Sequence, residues 1–212
     1  MTASVVTFST QIGSGGGRIA RAVAEKLRFR YYDWEVISQA ATEAGVSPEV
    51  LAVATSERPP GFFERMMSRL MGLGAGEEFS GQAAAPRMSM MNSEDYRQFL
   101  EHVVKELGAQ GDAVIVNHSG QVILKDLSGV LKVLVTGSPE RRARRMVETM
   151  GRDPALARET VANSDKQRFD YFQRVYRVDW LSMRHYDLAI NTDRVSAELA
   201  ADMAATAARE LP

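Results

Sequence analysis

The chain has 212 residues, a hydrophobic fraction of 45% and a formal net charge of -1. These values are ordinary for one globular domain and give no overall attraction to nucleic acid or to a membrane surface. Cysteine is absent, which excludes disulfides and cysteine-based metal sites or nucleophiles, and three scattered histidines do not favour a zinc site. Because the sequence has no signal-peptide pattern and no apolar run of about 18 residues, we expect a cytoplasmic protein without membrane contact.

A glycine-rich turn joins the first predicted strand, Val5–Phe8, to a predicted helix, Gly17–Leu27. Without Cβ atoms, the turn can point several backbone N–H groups at one spot, where the helix adds the positive end of its dipole. A plain flexible turn is the alternative. The position after a strand of a parallel sheet favours a cradle for nucleotide phosphates. The residues of this cradle are Gly13, Ser14, Gly15, Gly16 and Gly17.

The cradle differs from the phosphate-loop pattern G-x-x-x-x-G-K followed by Ser or Thr. In that pattern the lysine contacts the β- and γ-phosphates and the hydroxyl holds magnesium. Here Gly16 stands at the lysine position, and Gly17 and Arg18 follow it. Ser14 is the only hydroxyl residue inside the glycine run, which makes it a weak candidate for a magnesium ligand. The loop therefore indicates anion binding more strongly than ATP turnover.

Strands and helices alternate through the rest of the chain, which predicts a doubly wound parallel α/β sheet in one domain over residues 1–212. The further predicted strands are Arg30–Tyr32, Ala113–Val116, Leu131–Thr136 and Leu188–Ile190. The further predicted helices are Trp34–Ala44, Ser47–Thr55, Ser93–Gly108, Pro139–Met150, Pro154–Val175 and Ala197–Glu210. Residues 56–92 interrupt this alternation and are rich in methionine. We expect a mobile insert that contacts substrate or a second subunit, or an insert that only covers its neighbours.

Two charged helical segments lie within residues 138–180. The first, SPERRARRMVETMGR, carries arginines at positions 141, 142, 144 and 145, which cannot all share one helix face. The second, SDKQRFDYFQRVYRVDW, interleaves basic and aromatic residues. Such segments are commonly solvated amphipathic helices. Beside a glycine cradle, their planar guanidinium groups favour binding of phosphate oxygens, and the interspersed acidic residues argue against nucleic acid.

Taken in order, five segments resemble the cytidylate kinase-like family of P-loop proteins over nearly the whole chain. They read GSGGGRIARAVAEKL…YYDWEVI, AVIVNHSGQVILKD, SPERRARRMVETM, DKQRFDYFQRVYRVDW and HYDLAINTDRVS. The resemblance implies a three-layer αβα P-loop fold with a parallel sheet, a helical arginine-rich lid over 138–180 and a small inserted acceptor-side lobe. It also implies a nucleotide substrate, with ATP and Mg²⁺ as cofactors, and leaves a homodimer open.

The resemblance also implies roles for matching positions. Residues 13–17 would bind the nucleotide phosphates, and Asp33 would face the acceptor nucleotide. Asn191, Thr192 and Asp193 form the ending that follows the last core strand in the family. The lid residues are Arg141, Arg145, Asp165, Lys166 and Arg168.

Two departures from the family pattern keep the function open. The loop arginine stands one position later, at Arg18, and Asn117-His118-Ser119-Gly120 replaces the usual Gly-Arg-Gly. His118 therefore stands where an arginine is expected, either as an acceptor contact or as a partly exposed strand-end histidine.

One hypothesis is phosphoryl transfer from ATP to a nucleoside monophosphate such as CMP or dCMP. In it Arg18, Arg141 and Arg145 replace the lysine charge, and Asp33 acts on the acceptor side. The alternative is a catalytically weak or inactive phosphate-binding protein with a regulatory or scaffolding role. A kinase for another small metabolite is a third hypothesis.

Overall fold

The computed structural model describes residues 2–33 and 93–211. Its strands are β1 Val5–Thr10, β2 Arg30–Tyr32, β3 Ala113–Val116, β4 Val130–Thr136 and β5 Leu188–Asn191. Its helices are α1 Gly16–Leu27, α2 Ser93–Gln110, α3 Gly120–Ile123, α4 Pro139–Met150, α5 Pro154–Tyr176 and α6 Ala197–Arg209, with a 3-10 turn at Met183–His185. The predicted helices Trp34–Ala44 and Ser47–Thr55, and the predicted insert 56–92, lie outside the described residues.

The strands form one parallel sheet in the order β2-β3-β1-β4-β5, which confirms the predicted α/β class. In register, Val5 of β1 lies opposite Ala113 of β3 on one side and Val130 of β4 on the other. The chain leaves β1 into α1 on one face of the sheet and leaves β3 into α3 on the opposite face. A crevice therefore opens between the carboxyl ends of β1 and β3, where sheets of this kind bind ligands.

Helices bury both faces of the sheet at its central strands β1, β3 and β4. Helices α1 and α6 pack on one face, where they meet Val6 and Phe8 of β1. Helices α2 and α3 cover the other face, where they meet Val5 and Ile115. Because successive side chains of a strand point to opposite faces, a central strand covered on both sides reads as an unbroken apolar run.

Helices α4 and α5 start at well-defined caps. The Ser138 side chain accepts a hydrogen bond from the Arg141 N–H, and the Asp153 carboxylate accepts from the Ala155 and Leu156 N–H groups. A proline follows each cap in the first turn, where its missing N–H has no intrahelical partner to lose. The two helices then pack against each other through Ala143, Met146, Ala157 and Val161.

The sequence did not predict two short elements, α3 and the 3-10 turn. Four and three residues, respectively, are too few to show a helical period, so each depends on its tertiary surroundings. No helix within residues 2–33 or 93–211 combines the length and the apolar character that crossing a membrane requires.

Candidate phosphate-binding site

The glycine loop has the tight backbone that its sequence predicts. Gly13 and Gly15 have φ angles of 75° and 78°, in the left-handed region where glycine has no steric penalty. Gly15 precedes the first residue of α1, and the Ser14 hydroxyl accepts a hydrogen bond from the Gly16 N–H at 3.3 Å. The loop therefore turns directly into the N-terminus of α1, where unpaired N–H groups and the helix dipole favour an anion.

The surroundings of the loop differ from one glycine to the next. A Cβ atom at Gly13 would lie 2.6 Å from the Arg142 carbonyl oxygen, and one at Gly16 would lie 2.6 Å from Thr10 Cβ. A Cβ at Gly15 would meet no atom within 4 Å in the structure. Gly13 and Gly16 thus allow the loop to pack against the protein, whereas Gly15 lies on the open side of the loop.

Arg142 holds the start of the loop through hydrogen bonds to backbone carbonyls. Its side chain is 1% exposed and donates to the Ile12 carbonyl at 3.2 Å and to the Gly137 carbonyl at 2.9 Å. The same guanidinium forms an ion pair with Asp165 of α5, with Nη1 3.1 Å from Oδ1. Asp165 is therefore held by Arg142. Helical phase is the signal that identifies this arginine, because Arg142, like Ala143 and Met146, lies on the buried face of α4.

Arg145 joins the loop to the ending that follows β5. Its Nη1 donates to the Gly13 carbonyl at 2.8 Å, and its Nη2 donates to the Thr192 carbonyl at 2.8 Å. The adjacent Asp193 carboxylate accepts from the Ser138 N–H at 3.0 Å. The predicted lid arginine thus connects the loop to the predicted Asn-Thr-Asp ending, and its bond to the Gly13 carbonyl stabilises the loop backbone.

Other predicted phosphate contacts lie on the surface. Arg18 and Arg141 are exposed in the first turns of α1 and α4. Lys166 is also exposed and pairs with Asp170 one turn later, with Nζ 2.8 Å from Oδ2. Their contact with phosphate stays a prediction.

The two predicted acceptor-side residues follow β2 and β3. Asp33 lies directly after β2, and its carboxylate is 3.7 Å from Arg21 of α1. His118 lies after β3 and is only 9% exposed, so the alternative of a partly exposed histidine does not hold. It belongs to a run of non-glycine residues with positive φ, namely Asn117 at 67°, His118 at 51° and Ser119 at 55°. Consecutive left-handed residues of this kind are strained, and such strain concentrates at functional sites.

Arg168 is the most informative side chain of the site. It is 6% exposed, and its Nη1 donates to the Thr10 carbonyl at 2.8 Å and to Asn117 Oδ1 at 3.1 Å. Its Nε and Nη2 are buried and have no hydrogen-bond partner in the described part of the chain. Both of these acceptors are neutral oxygens. A buried guanidinium is strongly destabilising without an anion, so this arrangement favours an anionic ligand.

The loop and Arg168 lie at the same edge of the sheet, since Thr10 ends β1 immediately before the loop and its carbonyl binds Arg168. Fixed N–H donors and a fixed cation beside one crevice can bind a phosphate chain and stabilise charge that develops during phosphoryl transfer. Within residues 2–33 and 93–211, His, Asp and Glu side chains form no cluster of three that could hold a metal.

Comparisons with known proteins identify the family and the fold. The model of the Cytidylate kinase-like family matches residues 5–194, a range that includes the loop and α4–α5. The chain is similar to cytidylate kinase of Rhodospirillum rubrum, with 24% identity over 204 residues that cover 92% of each chain. Among solved structures it is similar to an uncharacterized protein from Eubacterium ventriosum ATCC 27560, with 19% identity, 97% and 98% coverage of the two chains and a TM-score of 0.65.

A gluconokinase from Sinorhizobium meliloti 1021 has the same fold, with 13% identity, 97% coverage of this chain, 93% of that chain and a TM-score of 0.51. At such identities the structural likeness shows the fold, which is the α/β P-loop fold that the sequence predicts. The family match extends over most of the chain. The chain belongs to the cytidylate kinase-like family, and its function is kinase-like.

Proposed function

We propose that the protein transfers the γ-phosphoryl group of ATP to a nucleoside monophosphate such as CMP or dCMP. The observation that carries this proposal is the buried Arg168 guanidinium beside the glycine loop. Its Nε and Nη2 groups, which we call the Arg168 fork, have no anionic partner among the described residues. Family membership supports a kinase-like reaction, and the name of the Rhodospirillum rubrum relative supports a cytidine nucleotide.

In this reaction an acceptor phosphate oxygen attacks the γ-phosphorus of ATP. A new P–O bond forms, the bond to the β-phosphate bridging oxygen breaks, and ADP leaves. The loop amides hold the donor phosphates, while Arg168 binds anionic oxygen near the ends of β1 and β3. Arg142 and Arg145 act through the loop, because their guanidinium groups bind its carbonyls at Ile12 and Gly13. The exposed Arg18 and Arg141 supply the charge that the missing lysine would have supplied.

Magnesium would neutralise charge on the transferring phosphates. The Ser14 hydroxyl is 1% exposed and already accepts from the Gly16 N–H, so it is a poor direct ligand. Mg²⁺ commonly keeps several waters and needs only one or two protein carboxylates beside substrate phosphates. Asp33 fits this role through water, since it follows β2 at the carboxyl end of the sheet.

For the rest of the molecule we infer one cytoplasmic domain over residues 1–212, with a lid at 138–180 and an acceptor-side lobe at 56–92. Residues 56–92 lie outside the described part of the chain, and their methionine content supports contact with the acceptor or with a second subunit.

A catalytically weak phosphate-binding protein is the second candidate. It is favoured by the absence of the loop lysine and by the protein partners that already occupy Arg142, Arg145 and Lys166. Phosphoryl transfer needs cations at the transferring group, and these three bind protein oxygens in the structure.

The test has two steps. A thermal-shift panel of nucleotides, with and without Mg²⁺, identifies the ligand, because binding to the native state raises apparent stability. Incubation with ATP, Mg²⁺ and each nucleoside monophosphate should then give the diphosphate product, with CMP or dCMP fastest. Binding without product for any acceptor would contradict phosphoryl transfer to nucleotides and support the second candidate.

A further inference from the structure

We propose that Asn117 is a positioning residue that keeps the Arg168 fork directed at an anion by holding it without neutralising it. This inference rests on the proposed function, because the anion is a phosphate group of the substrate. Asn117 directly follows β3 and begins the left-handed turn described above.

The Asn117 side chain connects β1 and α5. Its Oδ1 accepts hydrogen bonds from the Thr10 N–H at 3.0 Å, from the Thr10 hydroxyl at 3.3 Å and from Arg168 Nη1 at 3.1 Å. Its own backbone N–H donates to the Phe8 carbonyl at 2.6 Å. The residue is thus fixed through both its main chain and its side chain. Asparagine suits this position because it tolerates the left-handed φ of 67° and carries an acceptor oxygen.

These contacts leave one defined edge of Arg168 for a ligand. Thr10 and Asn117 bind Nη1, whereas Nε and Nη2 lie together on the side edge of the guanidinium. Two parallel N–H groups of this kind match two oxygens of a phosphate group. The Trp180 ring covers one face of the guanidinium, with Cζ 4.1 Å from the ring centroid. Both nitrogens are buried, and an anion that reaches them would bind in the plane of the guanidinium, at the Nε–Nη2 edge.

The neighbouring buried arginine shows the alternative arrangement. Arg142 is 1% exposed, and Asp165 binds two of its nitrogens. Asp165 lies only three residues before Arg168 on α5. The same helix therefore supplies a carboxylate to the arginine that supports the loop, while Arg168 binds only neutral oxygens among the described residues. A carboxylate at position 117 would remove this difference by pairing with Arg168.

Asn117 also connects the acceptor side to the phosphate loop. Thr10, which binds Asn117 through its N–H and its hydroxyl, packs so closely on Gly16 that a Cβ there would lie 2.6 Å from Thr10 Cβ. A displacement of Asn117 would thus reach the loop through Thr10 and reach the fork through Arg168. Asn117 is placed to hold the two halves of the site in one geometry.

The decisive variant is Asn117→Asp, which preserves shape and the acceptor oxygen but adds a negative charge. We expect its Tm to exceed that of the wild type, because the buried Arg168 gains a counter-ion. We also expect its affinity for CMP and for inorganic pyrophosphate to fall about 10-fold to 100-fold, because the added charge competes with the ligand. Asn117→Ala should instead lower both Tm and affinity. Asn163→Asp, at an exposed position of α5, is the control for net charge and should change neither.

Thermal denaturation and calorimetric titration measure both quantities on the full chain. A role in packing alone would move stability and affinity together, so a joint loss in Asn117→Asp would overturn the inference. Wild-type affinity in Asn117→Asp would also overturn it. The stabilising effect of Asn117→Asp should vanish in an Arg168→Gln background, and an unchanged effect there would refute the pairing.

These outcomes are distinct from failure of the proposed function. If the wild type binds CMP and pyrophosphate but forms no diphosphate from ATP, phosphoryl transfer fails and the role of Asn117 stands. If the wild type binds neither ligand, the anion site fails and the inference falls with it.

Discussion

Gly13→Ala tests the packing of the phosphate loop. The new Cβ would lie 2.6 Å from the Arg142 carbonyl oxygen and 3.0 Å from the Arg142 carbonyl carbon. Both are backbone atoms in the first turn of α4, so neither can move aside as a side chain could. The left-handed φ of 75° adds about 1–2 kcal/mol of strain for a residue with a Cβ. Overpacking of this kind adds about 1–3 kcal/mol. We expect a total loss of about 2–5 kcal/mol in the free energy of unfolding.

Gly15→Ala is the matched control in the same loop. Its φ of 78° carries the same strain, but its Cβ would meet no atom within 4 Å. The two variants should therefore differ by the overpacking contribution of about 1–3 kcal/mol. For a chain of this size, each kcal/mol shifts Tm by about 2–4 °C. Gly13→Ala should thus melt about 2–12 °C below Gly15→Ala.

Differential scanning calorimetry measures the difference in Tm between the two variants. Calorimetric titration with ATP measures the difference in their ATP affinity. Gly15 lies on the open side of the loop, where a phosphate would bind. Gly15→Ala should therefore lower ATP affinity more than Gly13→Ala does, although it lowers the free energy of unfolding less. Gly15→Val should abolish nucleotide binding while unfolding stays cooperative. Equal melting temperatures for the two alanine variants would refute the packing argument, and unchanged ATP affinity in Gly15→Val would reduce the loop to a plain turn.

Arg142→Ala should lower the free energy of unfolding by about 1.5–3 kcal/mol, because it removes the buried guanidinium that pairs with the partly exposed Asp165. In the same urea titration the exposed Arg144→Ala should stay within about 0.5 kcal/mol. Arg141→Ala should weaken ATP binding by about 1.5–3 kcal/mol and leave nucleoside binding unchanged in calorimetry, and equal losses would exclude a phosphate contact. Asp33→Asn should reduce the rate of diphosphate formation more than ATP affinity, and the reverse order in steady-state kinetics would remove Asp33 from the acceptor side.

Much of the fold could be predicted from local sequence. The predicted strands Arg30–Tyr32 and Ala113–Val116 and the predicted helix Pro139–Met150 have the bounds that the structure gives them. The strand Ala113–Val116 is a short apolar run that is buried throughout, and α4 begins at a serine cap followed by proline, so both signals lie within a few residues. The last residues of β1 and β5 are polar, and the prediction therefore ended both strands early.

The tight turn of the glycine loop was also predictable, because glycine is the residue that adopts positive φ without a steric penalty. The roles of the arginines were not. Arg145 binds the Gly13 carbonyl across 132 residues of chain, and Asn117 binds Thr10 across 107 residues. A helical pattern predicts which face of its helix an arginine lies on. It does not predict the hydrogen-bond partner, because that partner comes from a distant segment of the chain.

The sequence by itself determined the parallel α/β class, the order of the strands along the chain and the position of the tight glycine loop, because periodicity, caps and glycine conformation act over short distances. Only the tertiary structure decided that Arg142 pairs with Asp165 while Arg168 keeps one edge without a partner among the described residues. That difference depends on which oxygens the folded chain brings to each buried guanidinium. In a low-dielectric interior, such a choice between a carboxylate and a neutral amide distinguishes a structural arginine from one that favours a ligand.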